Sequence, residues 1–272
     1  MTSTYSMTNK KHWVPDWALN DNIAEVLENR RKGIMKRCKE LSPYQNPWYN
    51  RPHSLNIRSG SLSLCTTAKG GSTFWKTVLR LNMDSKTLSP WSKFKLSQAK
   101  TRFVVTRNPW HRLVSAWNDK IMNTYGNEWT RKMCRNRLWK KFITFSEFIE
   151  HCVIASWKHG RRYNTHWLPV IDRCHICRPK SHIDVFIAAE NMKKEGKYLL
   201  HEYGGVSDPD WLMTRARNSS IRPAEKKRDT KTYQQHYLDV SREHINILKE
   251  MYKYEIFLFD YPETPFVDFE NS

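Results

Sequence analysis

A short strand pattern, a tight polar corner and an amphipathic helix occur in that order twice between residues 61 and 121. This repeat constrains the chain more than any other feature of its sequence. Ser61-Leu-Ser-Leu-Cys-Thr66 alternates small polar and apolar residues, which predicts a strand. Ala68-Lys69-Gly70-Gly71-Ser72-Thr73 is a turn, and from Ser72 to Met83 the apolar residues Phe74, Trp75, Val78, Leu79 and Leu81 follow helical spacing. Thr101-Arg-Phe-Val-Val-Thr106 is a compact β-branched strand that Arg107-Asn108-Pro109 ends. Asn108 is the expected N-cap, and Pro109 sits at the first helical position, where its missing N–H costs nothing. Leu113, Trp117 and Ile121 then recur every four residues as a buried stripe. Strand, corner and helix, twice over, predict an α/β fold with a parallel sheet flanked by helices.

Other segments fit around this frame. Asp21 to Glu40 predicts a helix with Ile23, Val26, Leu27, Ile34 and Met35 on its apolar side, and Pro43, Pro47 and Pro52 then make an extended connector. Thr144 to Ile154 reads as helical with Thr144 or Ser146 as cap, and His159 to Pro179 as loop. Asp184-Val-Phe-Ile-Ala-Ala189 predicts a third strand, followed by a helix from Asn191 to Tyr203 that ends at Gly204-Gly205. Tyr233 to Tyr254 is helical with a break near Ser241, and Glu255 to Asp260 reads as a last edge strand or a hydrophobic tail. With 272 residues, 39 % of them hydrophobic, the chain can bury a sizeable core. No apolar run approaches eighteen residues, so no bilayer-spanning helix is expected, and Met1 to Trp13 carry no apolar signal core.

Charge points to an anionic partner. Lys and Arg number 46 against 27 Asp and Glu, a net +19. Two corners have matching chemistry. Around Lys69 to Thr73, glycines let the backbone curl so that N–H groups converge at a helix N-terminus, Ser72 and Thr73 offer hydroxyls, and Lys69 a mobile cation. This is not a Walker A loop, because the lysine precedes the glycines. At the second corner, Arg107 can hold a phosphate with two parallel hydrogen bonds. Arg112, Ser115 and Asp119 share one helix face by spacing and are expected to look toward the first loop across the strand ends, where open α/β sheets bind ligands. Taken alone, each corner has an ordinary explanation: a glycine-containing helix cap with an exposed lysine, and a surface arginine near a solvated serine. The six cysteines allow fifteen pairings. Only Cys174-His175-Ile176-Cys177 has tight spacing. A zinc site there would need a second ligand pair, so a local disulfide or loop pinch is expected and no metal. Asn218-Ser219-Ser220 is an N-glycosylation triplet, relevant in a secreted chain.

Together the corners carry a resemblance. Cys65-Thr-Thr-Ala-Lys-Gly-Gly-Ser-Thr-Phe-Trp-Lys76 resembles the 5′-phosphosulfate-binding loop of the Golgi carbohydrate sulfotransferases, in the group of the HNK-1 and chondroitin/dermatan 4-O-sulfotransferases, which reads roughly C-x-x-P-K-x-G-x-T-x-W-K. Arg107-Asn-Pro-Trp-His-Arg-Leu-Val-Ser115-Ala-Trp resembles their 3′-phosphate segment, R-x-P-F-x-R-L-x-S-A. His166-Trp-Leu-Pro, Cys174-His-Ile-Cys177, Asp184-Val-Phe-Ile with Glu190, and the stretch from Tyr254 to Tyr261 are similar to further family motifs, in the same order, over about residues 60 to 262. Ala68 stands where the family loop has proline, Trp110 where it has Phe, Ile176 where it has proline, and Ala188-Ala189 where Gly-Lys is common.

The resemblance implies a P-loop-like sulfotransferase domain over residues 59–265, preceded by an N-terminal helical and extended segment (1–58) packing on it and followed by a tail (266–272). It implies 3′-phosphoadenosine 5′-phosphosulfate (PAPS) as co-substrate without a metal. The donor site would comprise Ala68, Lys69, Gly70, Gly71, Ser72, Thr73 and Phe74 at the 5′ end, and Arg107, Asn108, Pro109, Trp110, His111, Arg112, Leu113, Val114 and Ser115 at the 3′ end. Arg107 and Ser115 would separate PAPS from ATP. Lys69 would serve the leaving oxygen, and His166 is the first candidate base, with Glu190 and His111 as rivals. A Golgi location and membrane association follow from the family alone.

The basic stretch Arg131, Lys132, Arg135, Arg137, Lys140 and Lys141, with Lys158, Arg161 and Arg162, suits an anionic glycan acceptor, and Trp129, Trp139, Trp157 and Trp167 are candidates for stacking on sugar rings. Three other readings compete. A nucleic-acid-binding module explains the charge but not the two corners, so nucleic acid is not the expected partner. A nucleotide kinase lacks the Walker order, and a relative without activity would bind PAP or an anionic glycan only.

Overall fold

The computed structural model describes residues 22–41, 56–82, 86–88, 100–122, 134, 143–158, 164–178, 182–220 and 231–266. Strands β1 (Asn56–Ser59), β2 (Leu62–Cys65), β3 (Lys86–Leu88), β4 (Thr101–Thr106) and β5 (Val185–Ala188) form one sheet in the order β3-β1-β2-β4-β5. β2, β4 and β5 are parallel, in the register Leu64–Phe103–Val185 and Cys65–Val104–Phe186. These are the three strands that the hydrophobic pattern predicts. β1 and β3 are antiparallel additions at one edge, so the sheet is mixed rather than wholly parallel. β1 hairpins onto β2 with Ser59 opposite Leu62, leaving Gly60 and Ser61 as a two-residue turn in which Gly60 has φ +54°. Four residues at β1 and three at β3 are too few to show a period.

Alternation along the strands loads two cores. Leu62, Leu64, Phe103, Val105, Val185 and Ile187 face helices α2 (Ser72–Leu81), α7 (Met192–Tyr198) and α8 (Pro209–Ser220) around Trp75, Val78 and Leu79. Cys65, Val104 and Phe186 face α3 (Pro109–Trp117), α9 (Tyr233–Tyr237) and α10 (Arg242–Phe259), together with a helical run made of α4 (Phe145–Phe148), a π-helical stretch (Ile149–Ile154) and α5 (Ala155–Lys158). Thr144 closes a capping box with Glu147 at the start of that run.

Helix α1 (Ile23–Glu40), capped by Asn22, covers the β5 edge and gives Leu27 to one core and Ile34 to the other. Its buried Arg30 forks onto Glu195 at 2.7 and 2.7 Å and donates to the Phe186 carbonyl at 2.6 Å, while Glu195 accepts the Ala188 N–H at 2.8 Å. The edge strand is thus satisfied by an ion pair from two helices. β1 starts at Asn56, ahead of residue 59, and pairs into the sheet, so the sheet begins inside the expected N-terminal segment.

Two expectations are corrected here. Glu255 to Asp260 is no edge strand: α10 runs through Phe259, because Leu248, Tyr252 and Ile256, and Met251, Glu255 and Phe259, continue the same buried i,i+4 stripes. Asp260 then ends the helix in a left-handed conformation, with φ 55°. Cys174 and Cys177 do not bond to each other. A left-handed turn at His175 (φ 53°) splays them, so that Cys174 pairs with Cys65 at the end of β2 and Cys177 with Cys38 on α1. Cys134 pairs with Cys152. The first two bridges close loops of 139 and 109 residues in sequence separation. Loops of that size stabilise most in the chain-entropy account, about 4–5 kcal/mol each. The predicted break near Ser241 is present, with its hydroxyl capping α10 at the His244 N–H. The loop expected between His159 and Pro179 contains a short helix, α6 (Val170–Cys174). Asn218 lies exposed in the last turn of α8.

Candidate active site

The first corner is shaped by close approach. Thr67 Oγ1 donates to the Val105 carbonyl at 2.8 Å and ties the loop to β4. A Cβ on Gly70 would lie 2.5 Å from that same Oγ1 and 3.0 Å from the Val105 oxygen, so only glycine fits. Lys69 (φ 64°) and Gly71 (φ 76°) take left-handed conformations that curl the loop into α2. Gly71 is the N-cap and provides no side-chain cap to the α2 amides.

The second corner is built from side chains. Asn108 Oδ1 accepts the Trp110 N–H at 2.9 Å, Pro109 opens the helix, and the Asn108 N–H donates to Glu190 Oε1 at 3.1 Å. These bonds aim Arg107 at the first corner, where its Nη1 donates to the Lys69 carbonyl at 2.9 Å. The two corners therefore meet in a single contact. They share a cleft of about 450 Å³ lined by Ala68, Lys69, Gly71, Ser72, Thr73, Phe74, Arg107, Ser115, Asp119, Lys120 and His166. That volume falls in the range of small-molecule sites.

The sequence grouping divides in three dimensions. Gly70, Asn108, Pro109, Trp110, Leu113 and Val114 build the corners from behind: Trp110 Nε1 donates to the Pro262 carbonyl at 2.9 Å, and Leu113 and Val114 are core. Arg112 leaves the face it was expected to share with Ser115 and Asp119. It is buried and forks onto Glu255 at 2.5 and 2.8 Å, because that buried carboxylate on α10 needs a cation. Burial disfavours the Arg112 charge, and the charge and hydrogen bonds of Glu255, with those of Tyr252, together hold the guanidinium above its ordinary range. His111 packs on Tyr233, ring centroids 3.8 Å apart, outside the cleft lining. Glu190 lies behind Arg107 at the end of β5, and burial raises its carboxyl against the pull of the Asn108 N–H and of Arg107. Of the three candidate bases, His166 is the one that lines the cleft.

His166 arrives on the segment before α6, held by its own N–H to Asn164 Oδ1 (2.9 Å) and by its Nδ1 to the same oxygen (2.6 Å). An amide oxygen accepts, so Nδ1 carries the proton and Nε2 is the basic nitrogen of the neutral ring. The Cys65–Cys174 bridge and an Arg173 Nε bond to the Thr66 carbonyl (3.3 Å) tie this segment to the first corner. Burial first, then the Lys120 and Lys69 charges, push His166 down to about 4, which keeps it neutral at physiological pH.

Sequence reasoning did not single out Lys120, and it noted Asp119 only for its helix face. Both lie in the π-helical turn Asn118–Met122 that follows α3. Asp119 Oδ2 is 3.2 Å from Lys69 Nζ and 3.1 Å from Lys120 Nζ. Burial favours neutral Asp119, yet the two ammonium groups hold it at about 2, whereas burial lowers Lys69 against the attraction of Asp119. The signal for Asp119 lay in its spacing, four residues after Ser115 on the same helix face, whereas Lys120 is brought to the cleft by the π-helical turn. Trp167 is buried, its Nε1 donating to Ser156 Oγ, and so it packs in the core and does not meet a sugar. Trp157 is part-buried against the same core. Trp129, Arg131, Lys132, Arg135, Arg137, Trp139, Lys140, Lys141, Arg161 and Arg162 lie outside the described residues. No group of three or more His, Cys, Asp or Glu among the described residues is placed to hold a metal ion.

The chain is an α/β protein whose cleft lies at the ends of parallel strands, beside a glycine-curled helix N-terminus, and is lined by the cations Lys69, Arg107 and Lys120. The sulfotransferase family profile matches residues 53–262, and the chain belongs to that family. Its relatives include carbohydrate sulfotransferase 11 of Mus musculus, 28 % identical over 173 residues (59 % of this chain and 46 % of the relative). Carbohydrate sulfotransferase 9 of Homo sapiens is 22 % identical over 282 residues (89 % and 61 %), and carbohydrate sulfotransferase 14 of Danio rerio 25 % over 172 residues (59 % and 44 %). The chain thus spans about half the length of the curated relatives it matches. No solved structure matches it significantly.

Proposed function

We propose that this protein transfers a sulfuryl group from PAPS to a hydroxyl of an anionic glycan. The observation that carries this reading is the 2.9 Å bond from Arg107 to the Lys69 carbonyl, which joins two anion-binding corners across one cleft. The donor needs such a pair, having a phosphosulfate at one end of the nucleotide and a 3′-phosphate at the other. Residues Ala68 to Phe74 take the 5′ end in a P-loop-like cradle whose fit is set by Gly70 and Gly71. Arg107 and Ser115 take the 3′-phosphate, a charge-assisted contact of about 1.5–3 kcal/mol that ATP cannot make. Asn108 to Val114 shape and aim that end without lining the cleft.

The chemistry balances on these residues. The acceptor oxygen forms a bond to sulfur as the bond from sulfur to the 5′-phosphate oxygen breaks. The electron pair stays on that oxygen, where Lys69 stabilises it, and the products are PAP and a sulfate ester. The acceptor proton passes to Nε2 of His166, which is neutral and directed by Asn164. Positioning and electrostatics carry the rate, as in phosphoryl transfer. The net +19 charge supports an acidic acceptor. Three disulfides support an oxidising compartment, consistent with the Golgi lumen that the family resemblance implies. No helix among the described residues is long and apolar enough to cross a membrane.

The test is calorimetric binding of PAP and ATP, followed by incubation with radiolabelled PAPS and a panel of desulfated glycosaminoglycans and N-glycans. PAP binding with label in one polysaccharide is the expected result. Absence of PAP binding overturns the proposal. PAP binding without transfer to any member favours the inactive glycan-binding relative, and salt-steep duplex binding without PAP binding favours the nucleic-acid module.

A further inference from the structure

The carboxylate of Asp119 stands inside a cleft that otherwise collects cations, where it opposes the binding of any anion. Its geometry gives a reason for its presence. It touches Lys69 Nζ at 3.2 Å and Lys120 Nζ at 3.1 Å through the same oxygen, so the three groups form a shared pair rather than two separate ones. The side chains are screened from solvent, at 17 % exposure for Lys69, 16 % for Asp119 and 22 % for Lys120. The backbone places them deliberately: Lys69 sits on a left-handed residue that turns it into the cleft, and Asp119 and Lys120 sit in a π-helical turn, an interruption of the α-helical ladder often found at working sites.

We propose that Asp119 is a positioning residue for sulfuryl transfer: it holds the Lys69 ammonium in the cleft of the empty protein, passes it to the donor's phosphosulfate oxygens, and stays paired with Lys120 afterwards. The sharing is what makes the exchange inexpensive. A carboxylate bonded to Lys69 alone would be left buried and uncompensated once the donor drew the lysine away, a costly state. With Lys120 in place the negative charge is never orphaned. Asp119 also attracts the Lys69 ammonium against the burial that disfavours its charge, in the same geometry that holds it. The inference rests on the donor reading above and adds to it a residue that never needs to touch donor or acceptor.

Asp119→Asn keeps shape and removes the charge. PAP affinity and turnover should therefore move in opposite directions. Removing one negative charge from an anion site tightens PAP by about tenfold, as a charge a few ångströms away in a partly screened site allows. Turnover with PAPS falls by about tenfold or more, because Lys69 is no longer held in the transfer geometry. Asp119→Glu, which restores the charge on a longer arm, returns PAP affinity toward wild type and recovers part of the turnover. Calorimetry with PAP, initial rates with labelled PAPS and thermal melts of the wild type and both variants separate the outcomes. Parallel loss of affinity and turnover with a lowered melting temperature marks a structural residue and overturns the proposal, as does wild-type turnover in Asp119→Asn. Wild-type protein that fails to bind PAP overturns the donor reading itself, and this inference with it.

Discussion

The two strand-to-helix corners of this cleft reach the same end by opposite means. At the β2–α2 corner the groups that the proposed donor would meet are backbone amides and Lys69, and the residues that shape the corner are those with little or no side chain: Gly70 fits where a Cβ would strike Thr67, and Gly71 turns the chain at φ 76° into an N-terminus with no side-chain cap. At the β4–α3 corner the backbone is capped by Asn108, Pro109 fixes the entry, and the group that the proposed donor would meet is the Arg107 guanidinium. An uncapped helix start offers short, fixed dipoles suited to oxygens that change geometry during transfer. A capped start has spent its amides and presents a long, forked cation suited to a phosphate that does not react. The bond from Arg107 to the Lys69 carbonyl ties the two corners together, so that on the proposed reading the second corner braces the first.

That division predicts which corner should control rate and which should control affinity. The largest effect is expected for Lys69→Ala: turnover falls by about 10²–10³-fold, the scale of removing one preorganised electrostatic ligand, with a smaller loss of PAP affinity. Single-turnover rates and PAP calorimetry check it, and equal losses in the two would break the comparison. Arg107→Ala should do the reverse. PAP affinity falls by about ten- to a hundredfold, the worth of charge-assisted hydrogen bonds to phosphate, and discrimination of PAP over ADP is lost. Selectivity retained in this variant would show that the 3′-phosphate lies elsewhere.

His166 serves as a reporter between the corners, because Lys69 belongs to the first and Lys120 to the helix of the second. In the folded protein it is pushed to about 4 from an ordinary 6.5, by burial and then by Lys120 and Lys69. The depressed value means that the unfolded chain binds the proton more readily than the native one between these limits. The contribution of His166 to stability is thus present above about pH 6.5 and is lost as pH falls toward 4. Lys69→Ala removes a nearby cation and should move the His166 midpoint upward, whereas Arg107→Ala should move it less, since Lys120 and Lys69 are the leading charges acting on that ring. A site-assigned NMR titration reads both shifts, and a midpoint that ignores Lys69 would separate His166 from the first corner.

The frame of this molecule was legible because its signals are local. The three parallel strands, the glycine corner, the Asn108 cap and the Ser241 break each depend on residues within a few positions of one another. What escaped depends on partners far away in sequence. Arg112 sits at a spacing that puts it beside Ser115, and only Glu255, 143 residues later, explains why it turns inward. Cys174 and Cys177 look like a local pair until α1 and β2 arrive on opposite sides of the His175 turn. Ile256, Leu258 and Phe259 suit an edge strand by composition, and the continuing helical stripe with Glu255 as buried counter-ion decides otherwise. Within the site, Lys69, Arg107, Ser115 and His166 came from residue chemistry and resemblance, while Lys120 required the π-helical turn that brings it to the cleft.

The smallest predicted effects test whether the two corners are braced alike. Thr67 Oγ1 holds the first corner to the Val105 carbonyl, and Asn108 Oδ1 holds the second to its own helix. Thr67→Val keeps the volume but leaves the Val105 oxygen without that donor, and Asn108→Ala removes the cap. Each should cost about 1 kcal/mol of stability by denaturant unfolding. The functional consequences should differ. A loosened first corner lets Lys69 wander from the transfer geometry, so Thr67→Val lowers turnover severalfold at nearly constant PAP affinity. A loosened second corner lets Arg107 swing from both the 3′-phosphate and the Lys69 carbonyl, so Asn108→Ala weakens PAP binding first and turnover only through it. If the variants prove indistinguishable in both measurements, the corners act as one rigid unit and the split between reacting and bracing halves dissolves.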